Sequence, residues 1–201
     1  MKSSETLSGE LLSKPVGILA LQGDFSAHQS AFRDFGAETV LIRYPDQLGD
    51  LSALVLPGGE STTHLKALQE SQLWEAIPRT VRGGLPIFAT CAGLILCARE
   101  VVQPVQPSWN LLNIAIERNA WGRQKESFIA KEAWPLLGED PQEMVFIRAP
   151  RITAVGGGVE VIGEYEGEPV FVRQGAVFGA TFHPELSHAH DAIRLFLANL
   201  R

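Results

Sequence analysis

Cys91 stands where an apolar run gives way to a second apolar segment, in Leu85-Pro86-Ile87-Phe88-Ala89-Thr90-Cys91-Ala92-Gly93-Leu94. Small residues lie two positions before it, Ala89, and two after it, Gly93. That is the small-x-nucleophile-x-small pattern of a sharp strand-to-helix turn that presents a nucleophile. Bulkier neighbours would collide with adjacent strands. A thiol placed so sits at a helix N-terminus, where the peptide dipoles favour thiolate. The backbone N–H of Ala92 is then free to meet a developing oxyanion. The plain alternative is a small buried hydrophobe, the usual fate of an unpaired cysteine. Cys97, which has no comparable surroundings, reads that way.

A base for such a thiol is offered by Thr181-Phe182-His183-Pro184-Glu185. Pro184 disfavours the helical region for His183, which predicts an extended segment. Residues two apart in an extended chain project to one side, so Glu185 can accept a hydrogen bond from one ring nitrogen of His183. The other nitrogen then faces the thiol, the orienter–base–nucleophile order of a Cys–His–Glu triad. The competing readings are a surface histidine beside a carboxylate, or a metal site in His183, Glu185, His188 and His190. The second lacks a helical zinc signature, and Pro184 breaks any helix that would align the ligands. We therefore expect no metal, and expect His188 and His190 to be solvated.

A third segment, Leu56-Pro57-Gly58-Gly59-Glu60-Ser61-Thr62, ends another apolar run with two glycines. Glycines at a strand's C-terminal end let backbone N–H groups turn toward a ligand. Without G-x-x-x-x-G-K-[ST] it is not a nucleotide loop. It reads either as a turn with a Ser61 helix cap or as a second oxyanion donor near Gly59, facing Ala92.

These residues need a scaffold that gathers strand ends. Val16–Leu21, Thr39–Ile42, Ala53–Leu56 and Pro86–Ala89 are short continuous apolar runs, the mark of strands buried on both faces. Helices are predicted between them at Ser26–Phe35, from Ser61 through Leu65 and Leu68, and at Leu94–Arg99. Alternating strands and helices imply a parallel sheet covered on both sides. Short strand-like segments after Glu100, around 114–116, 127–129, 145–147, 159–162, 170–172 and 177–180, predict antiparallel character in the second half. A last helix, His190–Leu200, carries Ile193, Phe196, Leu197 and Leu200 as a buried stripe. Residues 1–14 read as a loose extension and 15–201 as one domain.

The chain has 201 residues, 45% of them hydrophobic and 20% charged, enough apolar content for a sizeable core. Seventeen Lys and Arg against 23 Asp and Glu give 17 − 23 = −6. A mildly acidic chain argues against a nucleic-acid or anionic-membrane binder. Two cysteines cannot make a disulfide framework and suggest a reducing compartment. The polar start lacks the apolar core of a signal peptide, and no run approaches the roughly 20 apolar residues of a membrane span. We read a cytoplasmic protein.

Taken together, the elbow cysteine, the PGGES loop and the late His-Pro-Glu resemble the class I, triad-type glutamine amidotransferases. Leu19-Ala20-Leu21-Gln22-Gly23, Glu117-Arg118-Asn119, Gly122-Arg123-Gln124 and Phe146-Ile147-Arg148-Ala149-Pro150 narrow the resemblance to the glutaminase subunits of pyridoxal 5′-phosphate synthase, over about Val16 to Leu200. The resemblance implies a flavodoxin-like three-layer αβα sandwich and hydrolysis of L-glutamine to glutamate and ammonia. It implies that Gly58, Gly59, Glu60, Arg118, Ile147 and Arg148 line the glutamine site, and that no cofactor is needed. It also implies a partner, a TIM-barrel synthase subunit in a ring assembly, that receives the ammonia. Ala120-Trp121 and Asn110 depart from the usual N-S-F-G-R-Q and L-G-L-L-N segments. The open alternatives are an amidotransferase of another pathway, a cysteine peptidase or hydrolase on a similar sheet, and a non-catalytic binding module.

Overall fold

The computed structural model describes residues 12–118, 120, 127–138, 140–188 and 190–200. Most of the expected extension, residues 1–11, lies outside them, as do Asn119 and 121–126 of the departing loop.

Strands β1 (Val16–Leu19), β2 (Thr39–Ile42), β3 (Ala53–Leu56) and β4 (Ile87–Thr90) form where the apolar runs predict them. They belong to a seven-stranded sheet with β12 (Val177–Ala180), β11 (Glu168–Gln174) and β10 (Glu160–Tyr165), in the order β10-β11-β12-β4-β3-β1-β2. The five strands from β12 to β2 run parallel. The two outer strands, β11 and β10, are antiparallel additions from the second half of the chain.

Successive side chains of a strand point to opposite faces, so these short apolar runs feed two cores. Leu54, Leu56, Ile87 and Ala89 pack on one face against α2 (Ser61–Glu70), α3 (Leu73–Arg82) and α4 (Ala92–Cys97). Val16, Ile18, Ala53, Val55 and Phe88 pack on the other against α1 (Phe25–Asp34) and α5 (Asp191–Ala198). Helices on both sides of a mostly parallel sheet make the three-layer αβα sandwich expected from the sequence. A smaller sheet, β5 (Ala98–Gln103), β6 (Leu112–Glu117) and β9 (Arg151–Val155), extends the first core. A hairpin of β7 (Ser127–Glu132) and β8 (Gln142–Ile147) extends the second.

Two local expectations are corrected, and one helix is new. The helix expected over Leu94–Arg99 begins at Ala92 and stops at Cys97, because Ala98 turns extended and pairs with Leu112. Ser61 is not the cap of α2: Glu60 is, its carboxylate accepting from the backbone N–H groups of Thr62 and Thr63. Ser61 instead turns inward and donates to Gln106 at 2.9 Å. Helix α3, absent from the sequence reading, carries a Leu73, Ile77, Val81 stripe despite Pro78 within it.

Candidate functional site

Because β1, β3, β4 and β12 are parallel, the segments that follow them leave from one edge of the sheet. That edge is where open α/β sheets bind ligands. Cys91 follows β4, Pro57-Gly58-Gly59-Glu60 follows β3, His183 follows β12 and Gln22 follows β1.

At Cys91 the backbone takes φ 45°, ψ −105°, a region that costs a non-glycine residue energy. The surroundings hold it there. Its N–H donates to Ala180 at 2.9 Å and its carbonyl accepts from Ile95 at 3.2 Å. A Cβ on Gly93 would lie 2.3 Å from the Leu56 carbonyl oxygen, which explains the small residue two positions on. Ala92, the first residue of α4, keeps an N–H with no partner within its helix. Cys91 is 5% exposed. Cys97 is fully buried, and burial pushes its thiol far above the ordinary range.

His183 and Glu185 meet across a tight 3-10 turn, Pro184–Leu186, rather than along an extended strand. Nδ1 of His183 donates to Oε1 of Glu185 at 2.7 Å. The Cys91 thiol lines the same cavity as the imidazole. Burial works to lower the His183 pKa, but Cys91 and Glu185 together overcome it and raise the ring to about 10. Burial likewise works to raise Glu185, yet His28 and His183 hold its carboxyl well below the usual range.

Gly59, Glu60, Ser61, Cys91, Arg118, Ile147, Arg148 and His183 line one cavity of about 150 Å³ with Ile95. That is small beside the roughly 300–1,000 Å³ of drug-sized ligand sites. Gly58 lies against it, for a Cβ there would come within 2.3 Å of the His183 ring. Glu60 binds Arg118 at 3.1 Å. Burial opposes ionisation of Glu60, but bonds from Thr62 and Thr63 lower its pKa to about 2. Arg148 sits at the cavity in a left-handed conformation, φ 43°. The Ile147 carbonyl lies 4.0 Å from the Cys91 sulfur. Two larger open grooves, about 530 and 690 Å³, contain neither cysteine nor histidine.

All six residues expected to line the site are thus at it or against it. His190 corrects an expectation: half-buried, its Nδ1 lies 2.9 Å from the Pro184 carbonyl and its ring packs edge-on to Phe35. His188 is exposed, and neither extends a ligand cluster around His183. Among the described residues, no group of three His, Cys, Asp or Glu is arranged to hold a metal.

The sequence reading missed the buried polar layer beneath the cavity. His64 bonds the Gln22 carbonyl at 2.9 Å, and burial lowers its pKa. The Gln22 amide oxygen in turn accepts from the Glu60 N–H at 3.2 Å. His28 and Thr90 lie behind Glu185. The signal for His28 was its place in the stripe His28, Ala31, Phe32 of α1, a polar ring on an apolar face.

Solved structures give the class first. The fold superposes with a TM-score of 0.86 on a crystal structure titled glutamine amidotransferase, 43% identical over 92% of this chain and 98% of that one. PurLQS from Thermotoga maritima, 16% identical over 94% of this chain and 100% of that one, shares the fold alone at a TM-score of 0.63. The chain belongs to the SNO glutamine amidotransferase family, which it matches over residues 18–200. Its relatives include proteins named pyridoxal 5′-phosphate synthase subunit PdxT. That of Pelotomaculum thermopropionicum is 52% identical over 90% of this chain and 93% of its own length, and that of Koribacter versatilis 47% over 92% and 95%.

Proposed function

We propose that Cys91, His183 and Glu185 are the nucleophile, base and orienter of a glutaminase that supplies ammonia for pyridoxal 5′-phosphate synthesis. The observation that carries the chemistry is one buried imidazole that shares a cavity with the Cys91 thiol and bonds a buried carboxylate at 2.7 Å. His183 takes the Cys91 proton, and the thiolate attacks the carboxamide carbon of glutamine. The oxyanion is met by N–H groups at Ala92 and near Gly59. His183 returns the proton to the amine, the C–N bond breaks and ammonia leaves. Water then gives a proton to His183 and attacks the thioester. The C–S bond breaks, glutamate departs and the thiol is restored. Arg118, fixed by Glu60, and Arg148 offer N–H groups to the substrate's α-carboxylate.

Free ammonia becomes mostly ammonium in neutral water, and ammonium is not nucleophilic. The reading therefore includes delivery to a synthase subunit, a TIM-barrel protein in a ring assembly, within the cytoplasm. The names of the relatives support the pathway. No helix among the described residues is long and apolar enough to cross a membrane. The test is ammonia release from L-glutamine by purified protein mixed with the synthase subunit, with Cys91→Ala as control. We expect release that the substitution abolishes, and covalent capture of Cys91 by a glutamine-like electrophile. Peptide cleavage without glutamine hydrolysis would point to a peptidase instead.

A further inference from the structure

His28 is fully buried in α1, 155 residues before the histidine of the site, and its ring reaches the same carboxylate oxygen. Its Nε2 lies 3.2 Å from Oε1 of Glu185 and 3.1 Å from the hydroxyl of Thr90, the residue before Cys91. Oε1 of Glu185 is therefore shared by two imidazoles, while Oε2, also buried, has no partner among the described residues. The Nδ1 of His28 is buried without a partner among the described residues as well. A carboxylate oxygen only accepts, so Nε2–H of His28 donates to Glu185.

We propose that His28 is a positioning residue of this site: a second imidazole that anchors Glu185 from behind and so keeps it ionised and aimed at His183. The inference rests on the triad reading above. A carboxylate removed from water needs its charge matched by hydrogen bonds. Among the described residues, Glu185 has the two histidines for this purpose. The other charged groups of the elements packed on this turn are engaged or exposed elsewhere: Glu143 of β8 with Lys131, Asp191 of α5 with Arg194, Arg33 of α1 with Thr39, and Asp34 of α1 exposed. His190, just before α5, faces the Pro184 carbonyl, and Asp24 caps α1. Cys91 lines the cavity together with His183. Without the His28 donor, Glu185 takes up a proton more readily. The imidazolium at His183 then loses support, and with it the Cys91 thiolate.

His28→Gln and His28→Met separate this role from packing. The two side chains have similar length and shape, but only Gln carries a donor near the position of Nε2. The readout is the rate of Cys91 alkylation by iodoacetamide against pH, with the site of labelling assigned by mass spectrometry. It needs neither glutamine nor a partner. In His28→Met we expect the acidic edge of reactivity to move up by roughly one pH unit, about tenfold in thiolate at fixed pH, the scale of one hydrogen bond to a charged group. His28→Gln should track the wild type. In glutamine turnover, His28→Met should lose kcat with KM nearly unchanged. Coincident profiles for the Gln and Met variants would overturn the inference. Imidazole 15N spectra of the unmodified protein test the tautomer whether or not a variant folds, and a proton on Nδ1 rather than Nε2 of His28 would also overturn it. A wild-type Cys91 no more reactive than an ordinary thiol at pH 6 would be a different result, overturning the triad and this inference together.

Discussion

Cys91 and Cys97 leave the same stretch of chain with opposite chemistry, and burial decides which is which. Cys97 is fully buried in an apolar cluster, so its thiol stays protonated, while Cys91 shares a cavity with an imidazole. Cys97→Ala should keep most activity and cost about 1 kcal/mol of stability, whereas Cys91→Ala should abolish turnover and leave the fold intact. Ammonia release with denaturant melts checks both, and a dead Cys97→Ala would reverse the assignment. Glu185→Gln should cut turnover with little change in glutamine binding, because the lost charge matters most when the imidazolium forms.

The same pair sets a pH window. His183 is raised from 6.5 to about 10, so the stability it contributes is whole below pH 6.5 and is lost as pH rises through 10. Glu185 is depressed from 4.5, so its contribution is present above 4.5 and is lost as pH falls below it. Unfolding midpoints should therefore plateau between 4.5 and 6.5 and decline on both sides. In Glu185→Gln the acid decline should shrink and the alkaline one should begin at lower pH. Superimposable profiles would mean that the pair is not linked to folding.

At the scale of the element, the turns after β3 and β4 depend on missing side chains. A Cβ at Gly93 would meet backbone of β3, which cannot swing aside. Gly93→Ala should thus cost roughly 1–3 kcal/mol, the price of overpacking, read as a lower thermal midpoint. A Cβ at Gly58 would meet the His183 ring instead. Gly58→Ala should therefore lose turnover out of proportion to stability, and an active Gly58→Ala would show that the ring has room to yield. Glycine spacing announced both turns; only the packing tells which partner each glycine serves. The α2 cap was misread for a related reason. Ser61 and Glu60 both suit a helix start, and the inward pull of Gln106 on Ser61 comes from 45 residues away.

For the molecule as a whole, we expect a glutaminase that is slow alone and faster with its synthase. A freely running one would waste glutamine and lose its ammonia to protonation. The means lies in Gly58-Gly59, where φ at Gly59 is 143° and the Gln22 amide packs beneath. A peptide there can turn either a carbonyl or an N–H toward the oxyanion, and one such donor is worth about 10²–10³ in turnover. Steady-state ammonia release at saturating glutamine, with and without the synthase subunit, measures it. Gly59→Ala should blunt the rise, and equal turnover in both conditions would remove the activation and leave the glutaminase.

Apolar runs, glycine punctuation and the elbow around Cys91 are local signals, and they carried the sandwich, the strand ends and the residues proposed as the triad. Local signals work there because a strand buried on both faces must be apolar throughout, and a tight turn must be small. What lay out of reach was every pairing between distant segments. His183 meets Cys91 because β12 runs parallel beside β4. The extra strand β5 displaces helix because β6 offers Ala98 a partner. His28 reads from the chain as one polar residue on an apolar stripe; its tie to Glu185 exists only once α1 is laid against the turn after β12. Hydrogen bonds between segments so far apart depend on where the folded sheet sets their ends, and no local spacing encodes that.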